Sequence, residues 1–211
     1  MSRLKFFLKP NMIEVGLDEV ARGCLAGPVF AAAVIWNKNI NNLDCPEIKG
    51  IKDSKKMNKQ KRTYYSDYIK NNCLDWAISY INEKRIDEIN IRNASMEAMH
   101  DALNKLRIIP EHIIVDGNYF KEYNDPDNNN IIPYTTVVKG DNKYLSIASA
   151  SILAKVARDD YMKKLVEENK ELEIYNWIKN SSYGTKDHLD AIKKYGICKY
   201  HRKTFGICKN Y

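Results

Sequence analysis

An α/β fold built on one mixed sheet is the architecture this chain predicts, and three observations predict it. Short apolar runs of strand length alternate with helix-period stretches along the whole chain. The order is three strands with helical segments, a strand, a further strand, a long helix and a helical tail; the first three strands suit a meander, with later strands added across the helices. The chain has 211 residues, 44% of them hydrophobic and 29% charged, enough for one domain with a real core and a small appendage.

The elements follow in order. Met12 to Leu17 and Val29 to Trp36 are the first two strands; the second, rich in Val, Ile, Phe and Ala, is expected to be buried on both faces. Gly23, Gly27 and Pro28 punctuate a tight loop between them. Asn37 to Ile51 is Asn-rich loop. The basic run IKDSKKMNKQKR then leads into a helix that Asn58 can cap and that runs to about Asn71. LDWAISYI is a third strand. Helical stretches follow around Lys84–Ile89 and Ile91–Leu106, where Ile91, Ala94, Ala98, Ala102 and Leu106 recur at helical spacing and Met96 and Met99 fill core. HIIVDG is a fourth strand ending in Asp116, and PYTTVVK is a fifth that ends at Gly140-Asp141. From about Leu145 to Glu167 a long helix carries Ala148, Ser149, Ala150, Ser151 and Ala154, small enough for close packing on a sheet. Residues 1–165 are assigned to the core and 166–211 to a helical C-terminal part of the same unit.

The net charge of +7 makes the surface basic, which suits either a Lys-rich choice for solubility or a polyanion partner, usually nucleic acid. Five scattered cysteines form no CxxC pair, which argues against a zinc site or a disulfide framework and suits a reducing compartment. MSRLKFFLKPN has too short an apolar patch for a signal peptide, and no apolar run approaches the roughly 20 residues of a membrane helix. A soluble, cytoplasmic protein without a membrane partner is expected.

Asp18-Glu19, Asp116 and Asp141 each follow an apolar run beside a glycine or another turn feature. If the first and fourth strands lie parallel and adjacent, their C-terminal ends bring Asp18 and Asp116 together, the usual place of an α/β active site. An acid at one strand end is most often a turn or helix cap; three such ends carry more weight. Converging carboxylates repel, and hard divalent cations, Mg²⁺ or Mn²⁺, resolve that repulsion. Such a site suits in-line attack of water on a phosphodiester, one metal activating the nucleophile and the other stabilising the leaving oxygen.

Seven blocks, GLDEVARGCLAGPV, KDSKKM, INIRNASMEAM, IIVDG, KGDNKYLSIASASILAKVARD, YGTKDHLDAIKKYG and HRKTF, resemble in order the landmarks of the ribonuclease HII family, in its bacterial single-chain form. The resemblance covers about residues 13 to 205. It implies a ribonuclease H-like, mixed five-stranded sheet flanked by helices, with a helical C-terminal extension. It implies an endonuclease that cuts the RNA strand of RNA–DNA hybrids and cuts 5′ of ribonucleotides embedded in duplex DNA, leaving 5′-phosphate and 3′-hydroxyl ends. Two divalent ions, Mg²⁺ or Mn²⁺, are implied, with Asp18, Glu19, Asp116 and Asp141 as their ligands and the catalytic acids; a monomer is expected.

The family reads the ribonucleotide through a Gly-Arg-Gly tripeptide and a tyrosine, which align with Ala21, Arg22, Gly23 and Tyr183. A 2′-hydroxyl both donates and accepts, so backbone groups can bond it. Ala21 departs from the pattern. If only the backbone makes contact, Ala serves; if this position needs φ > 0, or the sugar must come within a methyl of the chain, Ala costs about 1 kcal/mol or more there. Activity is expected to survive with altered discrimination at the RNA–DNA junction. An unchanged ratio of rates on one-ribonucleotide and four-ribonucleotide duplexes after Ala21→Gly would refute that. Ser54, Lys55 and Lys56 are expected to meet DNA phosphates, and Lys155 faces either the same groove or the surface. Asp159 is expected to pair with a nearby cation, Asp53 to serve a turn or cap, and His188 and His201 to serve structure or phosphate positioning.

Overall fold

The computed structural model describes residues 4–38, 46–51 and 57–211. Asp53, Ser54, Lys55 and Lys56 lie outside the described residues. The five strands are β1 (Glu14–Val20), β2 (Val29–Ile35), β3 (Asp75–Ile81), β4 (His112–Asp116) and β5 (Tyr134–Val137), in the spatial order β3-β2-β1-β4-β5. The β1–β2 and β2–β3 pairs are antiparallel, the expected meander, and β1–β4 and β4–β5 are parallel. The helices are α1 (Pro46–Gly50), α2 (Lys59–Asn72), α3 (Glu83–Asn104), α4 (Leu145–Glu168), α5 (Trp177–Asn180) and α6 (Lys186–Tyr195).

Every residue of β2 is buried, because both faces of the sheet are covered. Its alternate residues divide between the two sides. Val29, Ala31, Ala33 and Ile35 join α3 residues such as Ala98 and Met99, whereas Phe30, Ala32 and Val34 join α4 residues such as Ala148 and Ile152. The helix α4 lies directly on β1. A Cβ built on Gly16 would sit 2.4 Å from the carbonyl carbon of Ser146, so the strand must be bare at that point. The two expected helical stretches are both present: the span α3 is broken at Asn90, whose φ 66 and ψ 163 are not helical. Asn90 then caps the second half through its bond from the Asn93 amide.

Two details of strand length differ from expectation. The strand β1 continues past Leu17 because its pairing with β2 runs on through Asp18, Glu19 and Val20. On the other side its pairing with β4 stops at Leu17–Val115. Asp18 and Glu19 are thus inside the strand on one edge and beyond its end on the other. The strand β5 ends at Val137, and Asp141 belongs to a 3₁₀ turn, Gly140–Asn142, entered through left-handed Lys139 at φ 56.

The C-terminal helices pack a separate cluster in which Trp177 and Ile192 meet Met162 and Leu165 of α4 and Leu25 and Ala26 of the loop after β1. The chain from 145 to 168 is a single helix through position 165. Among the described residues no helix is long and apolar enough to cross a membrane.

Candidate active site

The parallel β1–β4 pair sets the site. Leu17 pairs with Val115, so the next residues, Asp18 and Asp116, leave the ladder side by side. Asp18 is buried, and its Oδ1 accepts the Glu19 amide at 2.8 Å. Burial pushes its carboxyl well above the usual range. The nearby Glu19, Asp116 and Asp141 push the same way, and a hydrogen bond from Ser151 on α4 opposes them. Glu19 is also raised, chiefly by burial, against the opposing charge of Arg22, whose Nη1 lies 3.1 Å from Oε1. Asp116 Oδ1 accepts the Gly140 amide at 2.6 Å. Asp141 is buried, with Oδ1 accepting from Asn142 Nδ2 at 2.9 Å. The turn that carries Asp141 is thereby tied to the end of β4.

Among the described residues no trio of acids is closed into a ready-made cation cage. Like-charged oxygens keep apart, and donors of the chain hold them. The residues nonetheless fit hard divalent cations. The donor set is all oxygen. Glu19 Oε2 is buried with no hydrogen-bond partner among the described residues, and the raised carboxyl of Asp18 marks a place where positive charge would be stabilising.

These acids open into a cleft of about 280 Å³ whose lining includes Asp18, Glu19, Asp116, residues 21–23 and Tyr183. Asp141 is not among its lining residues; it approaches through its field at Asp18. Lys155 and Arg158 of α4 also line the cleft. Lys155 is paired with Asp159 at 2.8 Å, as expected for that acid.

The loop after β1 and the loop carrying Tyr183 are bonded to each other. The Leu25 amide donates to Ser182 O at 2.8 Å, and Cys24 Sγ to Ser181 O at 3.3 Å. This brings Tyr183, 46% exposed, against Gly23: a Cβ there would lie 3.6 Å from the ring. A side chain at Gly23 would therefore fill the space between peptide and ring.

Ala21 adopts φ 71, the left-handed region that glycine enters without strain. Ala21→Gly removes that strain but raises the entropy of the unfolded chain. The expected net result is a gain of about 0.5–1 kcal/mol, read as a higher denaturant midpoint with an unchanged slope; a lower midpoint would contradict it.

His188 and His201 are buried and contact each other rather than the cleft, with Nε2 atoms 3.1 Å apart. Sequence reasoning missed two buried arginines beneath the site, Arg158 and Arg202. Arg202 stands in the HRKTF block, yet nothing in a basic, polar neighbourhood announces a buried guanidinium.

The family model described as Ribonuclease HII matches residues 15–208. The chain is 46% identical over 201 residues to a ribonuclease HII of Phocaeicola vulgatus, covering 95% of this chain and 92% of that protein. It is 47% identical over 201 residues to a ribonuclease HII of Parabacteroides distasonis, covering 95% and 94%. Among solved structures it resembles the ribonuclease H2 of Pyrococcus horikoshii OT3, with a TM-score of 0.73 and 26% identity, covering 93% of this chain and 95% of that one.

Proposed function

The chain belongs to the ribonuclease HII family, and on that premise we propose that it cuts the RNA strand of RNA–DNA hybrids and cuts 5′ of single ribonucleotides embedded in duplex DNA. The products would carry 5′-phosphate and 3′-hydroxyl ends, as ribonucleotide excision repair requires. It is a metal-dependent hydrolase of the ribonuclease H type. Asp18, Glu19, Asp116 and Asp141 would hold the divalent cations, Mg²⁺ or Mn²⁺, whose chemistry when bound is activation of a water for in-line attack and stabilisation of the leaving oxygen.

The rest falls to the chain. The Glu19 amide and Ser151 orient Asp18, and the Gly140 amide fixes Asp116. Arg22 restrains Glu19. The peptide groups of residues 21–23 would meet the 2′-hydroxyl, and the exposed ring of Tyr183 would take the adjoining sugar. Lys155 lines the same cleft and would bring positive charge to the backbone phosphates. The observation that carries the reading is the shared cleft: three of the four proposed metal-binding acids, Asp18, Glu19 and Asp116, and the loop that would read the sugar line one space. The protein would act as a monomer.

A labelled duplex with one ribonucleotide is the test. Cleavage on its 5′ side with Mg²⁺ or Mn²⁺, and none in EDTA, is expected. No cleavage with either metal, or products ending in 3′-phosphate, would overturn the proposal.

A further inference from the structure

The C-terminal segment that follows α6 lies behind the sugar-reading loop, away from the cleft, and is bonded to that loop along its length. The Gly27 amide donates to Tyr200 O at 2.9 Å, and the Arg202 amide to Leu25 O at 2.8 Å. Ala26 and His201 form an antiparallel bridge. Arg202 itself is wholly buried. Its Nε donates to Gly27 O at 2.9 Å and its Nη1 to Arg22 O at 3.0 Å. The segment is anchored on its other side by Asp87 of α3. That carboxylate accepts the amides of Lys203 at 2.8 Å and Thr204 at 2.9 Å, and the Thr204 hydroxyl at 2.6 Å.

The bond to Arg22 O has a consequence for the cleft. In a trans peptide the C=O and the following N–H point in opposite directions across one rigid plane. Holding Arg22 O on a buried guanidinium therefore turns the Gly23 N–H away from that guanidinium; Gly23 itself is a residue of the cleft wall that Tyr183 shares. Without that hold, the carbonyl would have to find another donor, and the plane could rotate.

We infer that Arg202 is a positioning residue for ribonucleotide recognition: it locks the Arg22–Gly23 peptide so that the Gly23 amide is presented to the 2′-oxygen of the substrate. The inference rests on the proposed reading of residues 21–23. It adds that the C-terminal segment is part of the reader although none of its residues lines the cleft.

Equilibrium affinities for two matched duplexes, one with a single ribonucleotide and one all-DNA, measured with Ca²⁺ in place of the catalytic metal, provide the test. In the wild type the ribonucleotide duplex binds more tightly; equal binding there would count against the proposed reading of the loop, not against Arg202 as such. In Arg202→Lys, which cannot hold both carbonyls in one plane, that preference falls about tenfold, the worth of one well-placed hydrogen bond. Affinity for the all-DNA duplex stays unchanged. A folded variant that keeps its preference, or one that loses both affinities in parallel, overturns the inference. If Arg202→Lys does not fold, Asp87→Asn, which loosens the same segment from its far side, carries the test with a smaller fall in the same ratio; an unchanged ratio there overturns it equally.

Discussion

Asp18→Asn is expected to remove cleavage and to stabilise the fold. Asp18 stands at the junction of all four acids, buried, with its carboxyl raised first by burial and then by Glu19, Asp116 and Asp141. A group whose folded pKa is raised holds its proton more tightly in the native state. Its ionisation therefore works against folding, and the penalty grows as pH rises above the unfolded value of 3.8. Asn keeps the Oδ1 that accepts the Glu19 amide and can still meet Ser151, so little else changes. Without divalent ions at neutral pH the variant should be more stable by about 1–3 kcal/mol, the range for relieving an unmatched buried polar group. For a chain of this size each kcal/mol raises the melting temperature by about 2–4 °C. The advantage should shrink as pH falls toward 3.8 and vanish below it, where the carboxyl is neutral in the folded and the unfolded chain alike. Cleavage should fall by about 10³ or more, because metal-assisted charge stabilisation is worth several kcal/mol. Cleavage within tenfold of wild type, or a lower melting temperature in EDTA, would show that Asp18 is neither the strained acid nor the ligand described.

That opposition between stability and function explains which parts of the molecule were legible in sequence. The five strands and the covered sheet follow from apolar runs, and FAAAVI reports its burial on both faces by composition alone. Asp18 and Asp116 were legible because acids directly after apolar runs break the local pattern. Asp141 was less so: it reaches the site through a left-handed Lys139 and a 3₁₀ turn, which leave only Gly140 as a trace. Gly16 gives no hint that α4 presses on it, since the contact is made across 130 residues of chain. Arg158 and Arg202 were illegible for a related reason. Their burial depends on carbonyls of the loop at 22–27, and a guanidinium held by distant backbone looks in sequence like any surface cation. The left-handed φ of Ala21 could be suspected only from a glycine in the family pattern; alanine itself conceals it.

Acid should weaken the C-terminal part through the buried histidine pair. His188 Nδ1 lies 3.0 Å from Tyr183 O, and its Nε2 accepts the Trp177 indole N–H at 3.0 Å. His188 is therefore neutral and protonated on Nδ1. His201 must then donate from Nε2 to His188 and accept the Cys198 amide at Nδ1, 3.0 Å away. Both tautomers are forced, and a second proton on either ring would turn an acceptor into a donor facing a donor. The groups around His201 are His188, the rings of Tyr175 and Trp177 at 4.7 and 5.3 Å, and the Cys198 thiol at 3.2 Å; none is a carboxylate. Burial, reinforced by His188, lowers His201 from 6.5 to about 4, and burial lowers His188 as well. The unfolded chain thus takes up a proton as pH falls through 6.5 while the native state does so only near 4. Stability is fully present above 6.5 and is lost between these values, by about 3 kcal/mol at 1.36 kcal/mol per unit. The raised acids at the active site act in the opposite sense on acidification, so the measurement is a difference. Denaturant titrations of wild type and His201→Gln across pH 7 to 4.5 should converge as pH falls, the wild type losing its advantage. Parallel pH profiles for the two proteins would mean that His201 carries no such proton linkage.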